Sequence, residues 1–144
     1  MDLWRLFRKA HGPGLGGAGG LHAAGRWHDI GSHVVYFGAS PAIVILEKLA
    51  HLDPAVLPED LMLARFGGDL SVEDLSGFLH FRDLTLSRAR GEAFLKGKAA
   101  CALRVPSIVV PEEHNLVFNP LHAQAGRIKL ISERPFHFDA RLLD

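Results

Sequence analysis

A stretch near the N-terminus, residues 12–25, restricts most strongly what this chain can fold into. It reads GPGLGGAGGLHAAG, and half of its residues are glycine. Glycine loses more backbone freedom on ordering than any other residue, so a segment this rich in it does not hold together as a helix or a strand. We therefore expect a mobile loop here, and regular elements only before and after it.

The rest of the sequence predicts several short strands. Expected strand segments are DLWRLF, HVVYF (33–37), LMLARF (61–66), AACALRV, SIVVP, NLVFNP, RIKLI (127–131) and FHF. Most are rich in β-branched and aromatic residues, and the alternation in RIKLI predicts a half-buried strand.

Two helices are also expected. Ser40 followed by Pro41 is typical of a helix start, and this helix should end near His51. The second helix is predicted over 83–96, with Gly97 as its stop. Because strands and helices are interspersed without regular βαβ units, we predict an α+β fold with a mixed or antiparallel central sheet and flanking helices.

The composition narrows the classes of function. The 144 residues suit one domain, which we place at 1–144, and 48% are hydrophobic. Lys+Arg and Asp+Glu both number 16, so no excess charge predicts direct binding to nucleic acid or to an anionic membrane. Cys101 is the single cysteine, which excludes an intrachain disulfide and fits a reducing compartment. The N-terminal segment lacks an apolar signal-peptide core and no apolar run nears the ~18 residues of a membrane span, so we expect a soluble cytoplasmic protein.

Several common functional motifs are not supported by the residues around them. The glycine stretch matches G-x-G-x-x-G twice, but no helix signal follows it, as a dinucleotide fingerprint requires. The spacing of His22, His28 and His33 fits no metal-ligand pair, so we expect no metal and predict surface or hydrogen-bonded histidines. Cys101 lies in an apolar strand and should be buried and inert.

Glu47 is the residue that fits a core least well. On a helical wheel it falls between Ile43 and Val44, whereas Lys48 marks the expected solvent side. A carboxylate at this position is expected to be partly buried and to need a cationic or hydrogen-bonding partner. An edge glutamate that reaches water is the alternative, and the residues alone leave both open.

Arg26 and Tyr36 are the candidate neighbours of Glu47. Arg26 could pair with the carboxylate, or it could lie at the surface with its stem packed on a buried Trp27. Tyr36 should point to the same side of its strand as Val34, and a core tyrosine is the commoner role at such a position.

Two long segments resemble a known family. GRWHDIGSHVVYFGASPAIVILEKLAHL is similar to the first half of the RES domain, a family named for an arginine, a glutamate and a serine. SRARGEAFLKGKAACALRVPSIVVPEEHNLVFNPLHAQAGRIKL and FHFDARLLD resemble its second half and its C-terminal end. His28 departs from the pattern, because many members have asparagine there, and the stretch from Leu75 to Asp83 is short.

This resemblance implies a function. RES domains are toxins of type II toxin–antitoxin pairs, are related in fold to ADP-ribosyltransferases, and act on NAD⁺ as substrate. An Xre-type helix-turn-helix antitoxin is the implied partner, occluding the active site within a complex that can also contain a toxin homo-oligomer. The implied enzyme degrades NAD⁺ by hydrolysis or phosphorolysis of the nicotinamide–ribose bond. A protein mono-ADP-ribosyltransferase using the same site and a non-catalytic NAD-binding module are the alternatives.

The matching positions supply the expected site. Arg26, Glu47 and Ser107 are the implied catalytic residues, and Arg26, Tyr36 and Ser107 the implied NAD⁺-binding residues. Arginine suits a pyrophosphate, an aromatic ring suits nicotinamide, and a carboxylate stabilises an oxocarbenium ion. Ser107 could hold Glu47 or the ligand, or could cap its own backbone at the strand end.

Overall fold

A computed structural model describes residues 1–143 and shows an α+β domain with seven strands and two helices in this part of the chain. In chain order these are β1 (Asp2–Arg8), β2 (Val35–Gly38), α1 (Pro41–His51), β3 (Leu61–Gly67), β4 (Val72–Asp74), α2 (Leu84–Gly97), β5 (Ala102–Pro106), β6 (His114–Phe118) and β7 (Lys129–Pro135). The strands form one sheet in the order β4-β5-β6-β2-β1-β3-β7. Only β4 and β5 pair in parallel, so the mixed sheet predicted from the sequence is confirmed.

Alternation along the strands gives the sheet two apolar faces. Val35 and Phe37 belong to a core cluster on one face, whereas Val34 and Tyr36 contact a cluster on the other, as predicted. The first face also packs against Leu15 of the glycine-rich stretch. Both helices pack on the second face, α2 over β5 and β6 and α1 over β1 and β3.

The sheet is incomplete at its centre. β1 and β2 share a single paired position, Trp4 with Gly38, whereas β1 and β3 pair along seven residues. Since α1 and α2 cover different halves of the same face, an opening remains where the two halves of the sheet separate. A cleft lies at this opening.

The helix starts follow the sequence signals. The Ser40 hydroxyl accepts a hydrogen bond from the Ile43 amide at 3.2 Å, and the Asp83 carboxylate caps α2 in the same way. The C-terminal end of α2 differs from the prediction. Gly97 is still helical, and Lys98 adopts the left-handed conformation, with φ 54°.

Three strand predictions need correction, and one strand was missed. Residues 107–111 form turns instead of a strand, because the Ser107 hydroxyl accepts from two amides that follow it and reverses the chain. The FHF segment is not a strand, since β7 ends at Pro135 and Phe136 turns into the core. β7 itself is an exposed edge strand and not half-buried. β4 was not predicted, because three residues carry too little pattern to be read.

The glycine-rich stretch contains no strand or α-helix, which confirms the loop prediction, but it is shaped by close packing. It holds a short 3₁₀ turn, Ala18–Leu21. A Cβ added at Gly17, where φ is 74°, would lie 2.6 Å from the Val34 nitrogen, and one added at Gly20 would lie 2.1 Å from the Ser32 oxygen. Glycine is therefore required at these two positions so that the stretch can lie against the segment that leads into β2.

Candidate active site

The cleft at the split between β1 and β2 is a cavity of about 480 Å³. It is lined by residues from β1, β2, β5, β6, α1, α2 and the segment that follows the glycine-rich stretch, among them Arg5, Arg26, Tyr36, Glu47, Lys48, Arg88 and Asn115. Four of its lining side chains are arginine or lysine, and one is a carboxylate. A cleft with this charge balance suits an anionic ligand that also carries one positive centre.

Glu47 lies on α1 and is half-buried, so the predicted partial burial is confirmed. Its Oε1 accepts a hydrogen bond from the Ser107 hydroxyl at 2.5 Å and another from the Asn115 side-chain amide at 3.0 Å. Both donors reach Oε1, and neither reaches Oε2. The carboxylate is therefore held in one orientation by neutral donors, and within residues 1–143 no basic side chain forms an ion pair with it.

Of the two roles left open for Arg26, pairing with Glu47 is the one that the structure does not show. The Arg26 guanidinium instead donates to the carbonyl oxygens of Phe81, at 3.2 Å, and Arg82, at 3.5 Å. Lys48 was placed on the solvent side of α1, but it lines the cleft. Leu46, the residue before Glu47, is exposed. The helical wheel misassigned Lys48 because part of the surface of α1 faces the cleft instead of the core.

Ser107 is fully buried at the end of β5. Its hydroxyl donates to Glu47 and accepts from the amides of Val109 and Val110, each at 3.1 Å. Both alternatives left open by the sequence therefore hold together: the hydroxyl caps its own turn and holds the carboxylate. The turn fixes the hydroxyl in space, so its position does not depend on a ligand.

The segment that carries Arg26 is attached to α2. Arg88 donates to the Gly25 carbonyl at 2.8 Å, and Glu92 accepts from the Asp29 amide at 3.2 Å. Gly91 lies against Trp27, and a Cβ added there would be 1.8 Å from the Trp27 oxygen. Trp27 is buried, as predicted. This contact explains a glycine that weakens the interior of a helix, since only glycine allows the two backbones to approach so closely.

Tyr36 lies on β2 with its ring in the cleft lining. Its hydroxyl accepts from the Trp27 amide at 3.1 Å and lies 2.7 Å from Nδ1 of His28. Burial is the main cause that raises the pKa of Tyr36 well above its ordinary value, so this hydroxyl stays protonated at neutral pH. Tyr36 can therefore contribute a ring surface to the cleft but not a general base.

Comparison with known proteins identifies the family. A model of the RES domain matches residues 2–139. A protein named Toxin Res from Pseudomonas putida is 38% identical, over 99% of this chain and 99% of its own. The chain belongs to the RES domain family of toxins.

Further relatives agree with this assignment. A Sphingobium protein named Prs ADP-ribosylating toxin is 30% identical, covering 99% of this chain and 96% of its own length. The structure resembles a chain in the crystal structure of the M. tuberculosis MbcT-MbcA toxin-antitoxin complex, with a TM-score of 0.75 and 20% identity over 94% of this chain and 83% of that one. At this identity the likeness concerns the fold.

Within this RES domain, the structure adds residues that the sequence did not single out. Arg5 sits in β1 and donates to the carbonyl oxygens of Pro13, at 2.6 Å, and Tyr36, at 2.9 Å, across the split in the sheet. Burial lowers the pKa of its guanidinium. The sequence does carry a signal for Arg5. It lies two positions from both Leu3 and Phe7, so a charged residue falls on the face of β1 that packs into the core. Asn115 carried no comparable signal, because an asparagine at a strand end is common.

In residues 1–143, no group of three His, Cys, Asp or Glu side chains is placed to hold a metal ion. Neither helix in that range is long and apolar enough to cross a membrane. Cys101 is buried, as predicted, and burial raises the pKa of its thiol.

Proposed function

We propose that this RES domain protein is an enzyme that cleaves the nicotinamide–ribose bond of NAD⁺, and that this activity makes it the toxin of a type II toxin–antitoxin pair. The observation that carries the proposal is the Glu47 carboxylate. It is fixed by Ser107 and Asn115 through one oxygen, in a cleft whose other charged side chains are cationic.

Cleavage of the nicotinamide–ribose bond creates a positive charge on the ribose, which a fixed carboxylate can stabilise. When the bond between ribose C1′ and the nicotinamide nitrogen breaks, its electron pair goes to nicotinamide, which leaves as a neutral molecule. No general acid is needed, because the leaving group already carries a positive charge. The ribose is left as an oxocarbenium ion, and a preorganised carboxylate stabilises this cation more than it stabilises the ground state. We assign this role to Glu47, with Ser107 holding it in place.

The remaining lining residues suit the rest of the substrate. A guanidinium grips two phosphate oxygens in a fixed geometry, and Arg26 is assigned to the pyrophosphate. Arg5 and Lys48 add positive charge along the same cleft. The Tyr36 ring offers an aromatic surface for nicotinamide.

The acceptor decides between two activities. Attack on C1′ by water gives ADP-ribose and a proton, attack by inorganic phosphate gives ADP-ribose 1″-phosphate, and attack by a protein side chain gives a mono-ADP-ribosylated protein. The name of the Sphingobium relative, an ADP-ribosylating toxin, keeps protein modification as the second candidate. Degradation to a small product is the first, because it needs nothing beyond the cleft described.

One experiment tests the proposal and separates the acceptors. The purified protein is incubated with NAD⁺ labelled in the adenine ring, in plain buffer, with added phosphate, and with bacterial lysate. Released nicotinamide is measured by chromatography, and the label is followed into ADP-ribose, its phosphate ester or protein. Glu47→Gln serves as the inactive variant, and Glu59→Gln, at an exposed glutamate, as its matched control. No nicotinamide from the folded wild type in any arm would leave only the non-catalytic NAD-binding module.

A protein partner follows from the toxicity. An enzyme that consumes NAD⁺ harms the cell that makes it, so a cytoplasmic toxin needs an inhibitor. We propose an Xre-type antitoxin that occludes the cleft, within a complex that has room for more than one toxin chain. The crystallised toxin-antitoxin complex of similar fold supports such an assembly. Co-expression with a cognate Xre-type antitoxin should restore growth, and the purified complex should not release nicotinamide.

DNA binding is assigned to the antitoxin. The toxin chain has equal numbers of basic and acidic residues and so lacks the charge excess of a DNA-binding domain. The isolated toxin is therefore expected not to shift operator DNA at physiological salt, whereas the complex does. Tight binding by the toxin alone would contradict this division.

A further inference from the structure

His28 is a buried histidine beside the cleft to which no role has been given. Its side chain is 4% exposed, and both ring nitrogens are hydrogen-bonded. Nδ1 lies 2.7 Å from the Tyr36 hydroxyl, and Nε2 lies 2.7 Å from the Ala23 carbonyl oxygen. The imidazole thus joins the end of the glycine-rich stretch to the aromatic residue of the cleft.

The partners determine the direction of these hydrogen bonds in the neutral ring. A carbonyl oxygen only accepts, so Nε2 carries the hydrogen and donates to Ala23. Nδ1 is then an acceptor, and the Tyr36 hydroxyl donates to it. The Tyr36 oxygen in turn accepts from the Trp27 amide at 3.1 Å. The chain of bonds runs from Trp27 through Tyr36 and His28 to Ala23, each donor matched to one acceptor.

Close packing leaves this pair little freedom. A Cβ added at Gly25 would lie 2.8 Å from Cε1 of His28 and 2.8 Å from the Tyr36 hydroxyl. The backbone therefore closes over the contact between the two rings, whose centroids are 5.5 Å apart. The Tyr36 hydroxyl is used within the protein, and its ring is the part that remains for a ligand.

We propose that His28 is a positioning residue, which acts through the hydrogen bond from Tyr36 to Nδ1 and sets the orientation of the Tyr36 ring that receives nicotinamide. This inference rests on the proposed function and deepens it. The competing role is that His28 only anchors the glycine-rich stretch, through Nε2 and Ala23. The two roles use different nitrogens, so they can be tested separately.

Two substitutions test the two ring nitrogens of His28 separately. In His28→Asn the amide oxygen can take the place of Nδ1 and accept from Tyr36, whereas the bond to Ala23 is lost. In His28→Gln the amide nitrogen can take the place of Nε2 and donate to Ala23, whereas the bond from Tyr36 is lost. Each variant loses one buried hydrogen bond, so both should melt at a similarly lowered temperature.

The kinetics should differ between the two variants. We expect KM for NAD⁺ to rise about tenfold in His28→Gln, the effect of one lost hydrogen bond, and to stay within about threefold in His28→Asn. The value of kcat should stay within about threefold in both, because the ring contacts ground state and transition state alike. Tyr36→Phe, which keeps the ring and the histidine but deletes the hydroxyl, should match His28→Gln.

A spectroscopic signal gives a readout that is independent of turnover. Tyr36 is the single tyrosine in the chain, so labelling tyrosine with ¹³C at Cζ gives one resonance that reports its hydroxyl. The resonance should stay near the wild-type position in His28→Asn and move in His28→Gln.

The outcomes are distinguishable. The reverse order of KM values, or equal values in both variants, with an active wild type overturns the positioning role. An unmoved resonance in His28→Gln overturns it too. If the wild type neither binds nor cleaves NAD⁺, the proposed function itself has failed, and this inference falls with it.

Discussion

Replacing Glu47 by glutamine removes one negative charge from the cleft and leaves the shape of the side chain unchanged. The structure decides how much stability this costs. The carboxylate accepts from the hydroxyl of Ser107 and the amide of Asn115, both of which are neutral. Glutamine presents an oxygen at the same place, so both donors keep an acceptor.

The expected loss of stability is therefore small. A hydrogen bond to a charged group contributes about 1.5–3 kcal/mol and one between neutral groups about 1 kcal/mol. Weakening two half-buried bonds in this way should lower the free energy of unfolding by ~1–2 kcal/mol. Breaking a buried ion pair would cost about 3–5 kcal/mol, but Glu47 forms no ion pair among the residues that the structure describes, and Arg26 donates to backbone carbonyls.

The expected loss of activity is large. Deleting one preorganised electrostatic group costs about 10²–10³ in kcat, and we expect a fall of that size for Glu47→Gln. Affinity for NAD⁺ should persist, because Arg26 and the other cationic side chains remain. Nicotinamide release, urea unfolding and calorimetric titration with NAD⁺ measure the three quantities, with Glu59→Gln as the control.

Two results would refute the reasoning. A folded Glu47→Gln protein with wild-type turnover would show that the carboxylate does not stabilise the transition state. A protein that unfolds would show that Glu47 is a structural residue whose charge the fold requires. The expected protein is soluble, binds NAD⁺ and is not toxic when expressed without its partner.

Three further substitutions test the remaining parts of the site. Arg26→Lys should raise KM for NAD⁺ nearly as much as Arg26→Ala, because lysine keeps the charge but loses the paired donors of the guanidinium. The control Arg141→Lys, at an exposed position, should leave KM unchanged. A wild-type KM in Arg26→Lys would exclude a phosphate clamp. Gly91→Ala should reduce activity and lower the melting temperature, since its Cβ would force Trp27 away from α2. An unchanged melting temperature would contradict the close approach of the two backbones. Ser107→Ala removes the acceptor of two backbone amides in its turn as well as the donor to Glu47. The free energy of unfolding should therefore fall by about 1–3 kcal/mol in a urea titration, and kcat should fall with it. A loss of stability with wild-type kcat would confine the serine to its turn.

The sequence alone determined the parts of this fold that depend on neighbouring residues. Ser40 and Pro41 mark the start of α1 because a cap is a local interaction over three residues. The alternation of Val34, Val35 and Tyr36 assigns their faces because successive side chains of a strand point to opposite sides. The glycine content of 12–25 excludes an α-helix or a strand for a similarly local reason.

The tertiary structure decided which distant residues meet. Ser107 and Asn115 reach Glu47 across more than fifty positions of the chain, and no spacing in the sequence encodes such a contact. The helical wheel placed Lys48 in solvent because it assumes one core, whereas α1 covers both a core and a cleft. The sequence left the partner of Arg26 open, because a charge in the sequence indicates the need for a partner and not its identity. The single pairing between β1 and β2 opens the cleft, and strand order in a sheet is set by the packing of the whole chain, which local preferences do not specify.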